Sequence, residues 1–127
     1  MDDMLLLQKA LWAKSKAYAP YSNFRVGAAL LTKNGKVFTG CNIENASYGA
    51  TCCAERTAVF KAVSEGETEF EAIAVSGDSA GFTFPCGICR QVMAEFSPNL
   101  KIILGNRENN IKVFYLQDLL PHAFHKE

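Results

Sequence analysis

The 127-residue chain has only two histidines, His122 and His125, both near its end. A three-histidine metal site is therefore excluded, and the pair reads as solvated tail residues. An excess of charge of either sign is also missing, because 13 Lys and Arg balance 13 Asp and Glu. With no Lys/Arg run, the chain lacks the electrostatic footprint that nucleic-acid binding needs to neutralise phosphates. Long apolar runs are absent. The opening MDDMLLLQKALW is acidic, and its apolar stretch runs only from Met4 to Leu7. That is too short for a signal-peptide core and well short of the roughly 20 residues of a membrane span. The expectation is a cytoplasmic protein with neither nucleic acid nor membrane as partner.

What is present is enough for one compact unit. Residues 1–127 read as a single domain, and 49% of them are apolar, so a core can form without disulfide staples. Five cysteines, an odd number, in a chain without a secretion signal argue against a disulfide framework. The thiols are then free, catalytic or metal-bound.

Asp2 or Asp3 can cap a helix running to about Tyr18, with Leu7, Ala10, Leu11, Ala17 and Tyr18 as its apolar stripe and Pro20 as its stop. VGAALLT and KVFTGCN flank Asn34-Gly35, a strong hairpin signal. Asn42 to Thr51 reads as a polar loop. A helix follows from about Cys53 to Gly66, then the strand FEAIAVSG, the loop DSAGFTFP, and a helix over CGICRQVMAEF ended by Ser97-Pro98. KIILG is a short strand, and VFYLQDLLP reads as a further short helix. A hairpin followed by alternating helices and strands predicts a mixed sheet with helices packed on it.

Cys86-Gly87-Ile88-Cys89 could be a redox pair, half of a metal site, or two buried small residues. At the start of a helix, residues i and i+3 share one face, so both sulfurs can meet one ion. A catalytic zinc takes three protein ligands and keeps one position open. Cys53, at the start of the other helix, can supply the third; Cys52 remains a candidate fourth ligand, which would close the site. A helix N-terminus is electropositive and lowers a thiol's pKa. Arg56 is the nearest cation in sequence to offset three thiolates. Glu55 sits two residues after Cys53, in the first turn, where it can act as a general acid/base beside an activated water or simply be a favourable first-turn charge.

Together, Cys53-Ala54-Glu55 and Pro85-Cys86-Gly87-Ile88-Cys89 match the signature of the zinc deaminases, in which the glutamate is not a ligand. With AYAPYSNFRVGAAL, GCNIENASYG, CAERTA, PCGICRQV and LLPHAF, nearly the whole chain resembles the small homotetrameric cytidine deaminases of the all-cysteine branch. The resemblance implies a three-layer α/β/α fold, with a mixed sheet of about five strands and helices on both faces. It implies one Zn²⁺ per subunit on Cys53, Cys86 and Cys89, proton shuttling by Glu55, and a hydrogen bond from Arg56 to a ligand thiolate. It further implies cytidine or deoxycytidine as substrate, lost as ammonia and uridine or deoxyuridine. Phe24 would pack on the pyrimidine, Asn42 and Glu44 would bind ribose hydroxyls, and the backbone at Ala54 would read the base. Ala46 and Tyr48 would reach a neighbouring subunit's sugar site, and Phe124 a site on another chain. The competing readings are a blasticidin-S-type deaminase of the same fold and a non-catalytic zinc-binding module. The latter leaves Glu55 without a purpose.

Overall fold

The structure is a computed structural model and describes residues 1–126. Helix α1 spans Asp3–Lys14, with Asp2 as its cap: the Asp2 carboxylate accepts the Leu5 N–H at 2.8 Å. Strands β1 (Val26–Thr32) and β2 (Val37–Cys41) form the expected hairpin, and Gly35 at φ 89 supplies the left-handed turn residue. Helix α2 (Ala54–Ser64), strand β3 (Phe70–Gly77), helix α3 (Gly87–Phe96), strand β4 (Lys101–Gly105), strand β5 (Ile111–Tyr115) and the short helix α4 (Leu116–Leu119) follow.

The sheet order is β2-β1-β3-β4-β5, with β3 and β4 parallel and the other neighbours antiparallel. Alternation along the strands builds two cores. Ala28, Leu30, Ile73, Val75, Ile102 and Leu104 face α2 and α3. Ala29, Leu31, Ala72, Ala74 and Ile103 face Leu6, Leu7 and Ala10 of α1. The result is the three-layer α/β/α arrangement with a mixed five-stranded sheet.

Two glycines allow helices to approach closely. A Cβ on Gly27 would stand 2.0 Å from the Ala10 carbonyl oxygen of α1. One on Gly40 would stand 2.5 Å from both the Ala54 carbonyl oxygen and the Ala58 nitrogen. The first turn of α2, which carries Cys53 and Glu55, therefore lies directly on β2.

Two expectations need correction. The first helix stops at Lys14, not near Tyr18. Tyr18 is held extended instead: its N–H donates to Asn42 O at 3.0 Å and its carbonyl accepts the Glu44 N–H at 2.8 Å. Leu11 and Tyr18 are accordingly exposed, and the buried stripe is Leu6, Leu7, Ala10 and Ala13. The segment VFYLQDLLP is not one helix. Val113 to Tyr115 belong to edge strand β5, paired with β4, and only Leu116–Leu119 are helical.

Candidate active site

Helices α2 and α3 start side by side, with Cys53 and Cys86 in the cap positions. Neither cap side chain bonds to its helix backbone, so both sulfurs are available to an ion. Cys89 lies one turn into α3 and is fully buried. The sulfurs of Cys53 and Cys86 are 3.8 Å apart, those of Cys86 and Cys89 3.5 Å. Tetrahedral ligands about 2.3 Å from zinc stand about 3.8 Å from each other, so the spacing fits a zinc ion. Among the described residues, these three form a group able to hold a metal. Cys52 is outside it, with its sulfur accepting the Thr57 hydroxyl at 3.6 Å. The four-ligand, closed alternative therefore has no fourth thiol. Cys41 also lies apart, at the end of β2, and burial raises its thiol pKa.

Arg56 turns back over the cluster, its Nη2 donating to Cys53 Sγ at 3.3 Å, while its buried Nε has no partner. Hydrogen bonding from Cys89, followed by that from Arg56, holds the Cys53 thiol well below its ordinary range. The hydrogen bond with Cys53 and burial push Cys89 upward. Three touching thiols cannot all ionise without a cation, and a divalent ion at their centre supplies one. The two helix N-termini and Arg56 then offset the excess negative charge.

Glu55 is 4% exposed yet lines a cavity of about 300 Å³ together with Phe24, Asn42, Glu44, Ala54, Cys53 and Cys86. That volume is at the lower end of the range for small-molecule sites. Polar side chains also line this cavity. Asn42 donates through Nδ2 to Phe24 O at 2.8 Å and accepts the Val26 N–H at 2.9 Å. Glu44 accepts from Tyr21 N, Ser22 N and the Ser22 hydroxyl. The Ser22 hydrogen bond, the leading cause, keeps the Glu44 carboxyl below its usual range.

A family model described as the cytidine and deoxycytidylate deaminase zinc-binding region matches residues 1–105. The chain belongs to the cytidine deaminase family. A cytidine deaminase of Halalkalibacterium halodurans is 54% identical over 128 residues, covering 100% of this chain and 97% of that protein. The crystal structure of cytidine deaminase from Burkholderia pseudomallei matches with a TM-score of 0.94 at 54% identity, over 98% of this chain and 100% of that one. That of the Mycobacterium tuberculosis cytidine deaminase matches with a TM-score of 0.86 at 41% identity, over 99% of each chain. The matched family region is a zinc-binding one, and the three-cysteine cluster is able to hold a metal ion, with zinc the ion its donor set fits.

Of the residues singled out from sequence, the deaminase cavity gathers Phe24, Asn42, Glu44, Cys52, Cys53, Ala54, Glu55 and Cys86. Cys89 and Arg56 adjoin it through Cys86 and Cys53. Tyr48 lies outside, on an adjoining groove with Tyr21, Asn45 and Thr51. Ala46 is exposed, and so is Phe124, at 72%. Sequence reasoning passed over Ser22, Thr51 and Thr83, which also line the cavity. Only the turn-forming character of Pro20-Tyr21-Ser22-Asn23 was a signal for the first.

Burial, reinforced by the negative charge of Cys53, raises the Glu55 carboxyl to about 7. Between the unfolded value of 4.5 and about 7, the folded protein holds a proton that the unfolded chain has lost. The slope of stability with pH is then negative, and stability is lost as pH rises through this window. In metal-free protein, Glu55→Gln should therefore raise the melting temperature at pH 8, reflecting a stability gain of about 3 kcal/mol, with the gap closing by pH 5. Thermal melts across pH 5–8 check this; a gap that did not change with pH would contradict it.

Proposed function

We propose that the chain hydrolyses the 4-amino group of cytidine and 2′-deoxycytidine, giving ammonia and uridine or 2′-deoxyuridine. The observation carrying this reading is that a buried carboxyl, Glu55, shares one cavity with the cysteine cluster. Cys53, Cys86 and Cys89 would hold zinc, which when bound supplies the Lewis acidity that makes a water nucleophilic near neutral pH. Glu55 takes one proton from the attacking water and delivers it to N3 as the oxygen bonds to C4; it then passes the remaining hydroxyl proton to the amino nitrogen, so that the C4–N bond breaks, ammonia leaves and the C4 carbonyl forms. Its burial disfavours the charged form, which suits a carboxyl that must hold a proton between one transfer and the next. Arg56 holds the Cys53 thiolate in place. Phe24 packs on the pyrimidine, the backbone of Ala54 reads the base together with Glu55, and Asn42 and Glu44 meet the sugar hydroxyls.

The cavity also favours a nucleoside over a nucleotide. None of its described lining residues is Lys or Arg, while Glu44 and Glu55 are both present. A 5′-phosphate would meet no countercharge from these residues. The test is an ultraviolet assay of cytidine, deoxycytidine and deoxycytidylate side by side. Turnover of the two nucleosides with little of the nucleotide is expected. A preference for deoxycytidylate would overturn the nucleoside assignment.

The reading includes a homotetramer in which Ala46, Tyr48 and Phe124 complete sites on neighbouring chains. Its support is that all three are exposed and outside their own chain's cavity, while closed symmetry lets one patch serve several sites. Glu55→Ala and Phe124→Ala chains should each be impaired when pure. Refolded together into hybrids, they should exceed the average of the two. Hybrids verified by mass that show only the average would assign Phe124 to its own chain's site or to none.

A further inference from the structure

Ser22 lines the cavity and bonds to two of its other lining residues, Phe24 and Glu44. It stands in the tight turn before β1, where Asn23 adopts a left-handed conformation at φ 55 and donates its N–H to Ala19 O at 3.0 Å. The Ser22 hydroxyl accepts the Phe24 N–H at 3.0 Å and donates to Glu44 Oε2. The N–H groups of Tyr21 and Ser22 donate to Glu44 Oε1 at 2.9 and 3.1 Å. A hydroxyl has a single hydrogen to give. Its other possible acceptor, the Phe24 carbonyl oxygen, is 3.5 Å away, outside the normal range for such a bond, so the hydrogen belongs to Glu44. A serine that only closed its own turn would need the Phe24 N–H alone. This one also reaches a carboxylate 22 residues further along the chain.

We propose that Ser22 is a positioning residue for substrate binding, one hydroxyl that sets the Glu44 carboxylate and the Phe24 backbone in a common geometry. This rests on the substrate roles proposed for Glu44 and Phe24. A carboxylate has about four lone-pair sites, and three donors already occupy Glu44. What remains suits one further hydroxyl, held in a defined direction. Asn42 bonds to the same segment at Phe24 O and Val26 N, so the ring of Phe24 and the sugar-facing side chains share one support. Neither Phe24 nor Glu44 belongs to the cluster of thiols, and Ser22 should therefore act on binding rather than on the chemical step.

The test is steady-state kinetics with cytidine on the zinc-loaded protein. Ser22→Ala should raise KM about tenfold, the scale of a charge-assisted hydrogen bond, while kcat stays within about twofold. Zinc content should be unchanged, and any fall in melting temperature should leave the variant fully folded at the assay temperature. Ser22→Thr, which keeps the hydroxyl, should restore KM to within about twofold of wild type. Because Ser22 acts through Glu44, adding Ser22→Ala to Glu44→Gln should cost much less than it does alone. Penalties that multiply fully, an unchanged KM, a fall in kcat equal to the rise in KM, or no rescue by Ser22→Thr would each overturn the proposal. If the wild-type protein does not deaminate cytidine at all, the functional reading falls and this inference with it. That outcome is visible before any variant is made.

Discussion

Glu55→Gln is expected to keep one zinc per chain and the native fold while cytidine turnover falls about 10²–10⁴-fold, the usual scale for a general acid/base group. The glutamine preserves size and burial but cannot carry the proton. Glu55 is 4% exposed in the first turn of α2, where an ionised carboxylate is costly in the absence of a task. Burial has already raised its pKa to about 7, and such a shift within a cleft marks a functional group. The check is single-turnover kinetics with metal analysis on the same sample. Near-wild-type turnover would remove Glu55 from the mechanism. Loss of zinc would instead make it a support of the cluster.

The second large effect concerns the thiols. Cys53→Ala, Cys86→Ala and Cys89→Ala should each lose most of the zinc and with it the activity, because a divalent ion left with two thiolates loses much of its binding free energy. Cys52→Ala should keep both. The two neighbours in sequence differ in surroundings: the Cys53 sulfur meets Cys86 and Arg56, whereas that of Cys52 accepts the Thr57 hydroxyl and stands outside the thiol cluster. Metal content by atomic spectroscopy decides. Equal zinc loss from Cys52→Ala and Cys53→Ala would mean that the wrong member of the doublet had been assigned.

The site was legible because its chemistry is local. A cysteine pair spaced i, i+3 at a helix start must share a face, and α3 begins where Pro85-Cys86 places it. Cys-x-Glu at the start of α2 carries the same information. The strands were legible where alternation or continuous burial ran for five residues or more, as in β1 and β3. Edge strand β5 was not, because its residues are half-buried or exposed and VFYLQDLL has an apolar pattern that also fits a helix. The end of α1 was missed because Ala17 and Tyr18 suit a helix locally, whereas the remote bridge to Ile43 holds Tyr18 extended. Ser22 was missed for the same reason, since its partner Glu44 is remote in sequence. Local signals thus pointed to the thiol cluster and the buried carboxyl beside it, whereas the polar residues lining the same cavity depend on long-range contacts.

The most direct test of the central claim is the ultraviolet change on conversion of cytidine to uridine, followed with purified, zinc-loaded protein before and after a strong chelator. The predicted result is turnover that disappears with the metal, returns when one equivalent of zinc per chain is restored, and releases one ammonia per uridine. Protein that holds one zinc per chain yet leaves cytidine unchanged would contradict the deaminase reading and leave a metal-stabilised binding module in its place.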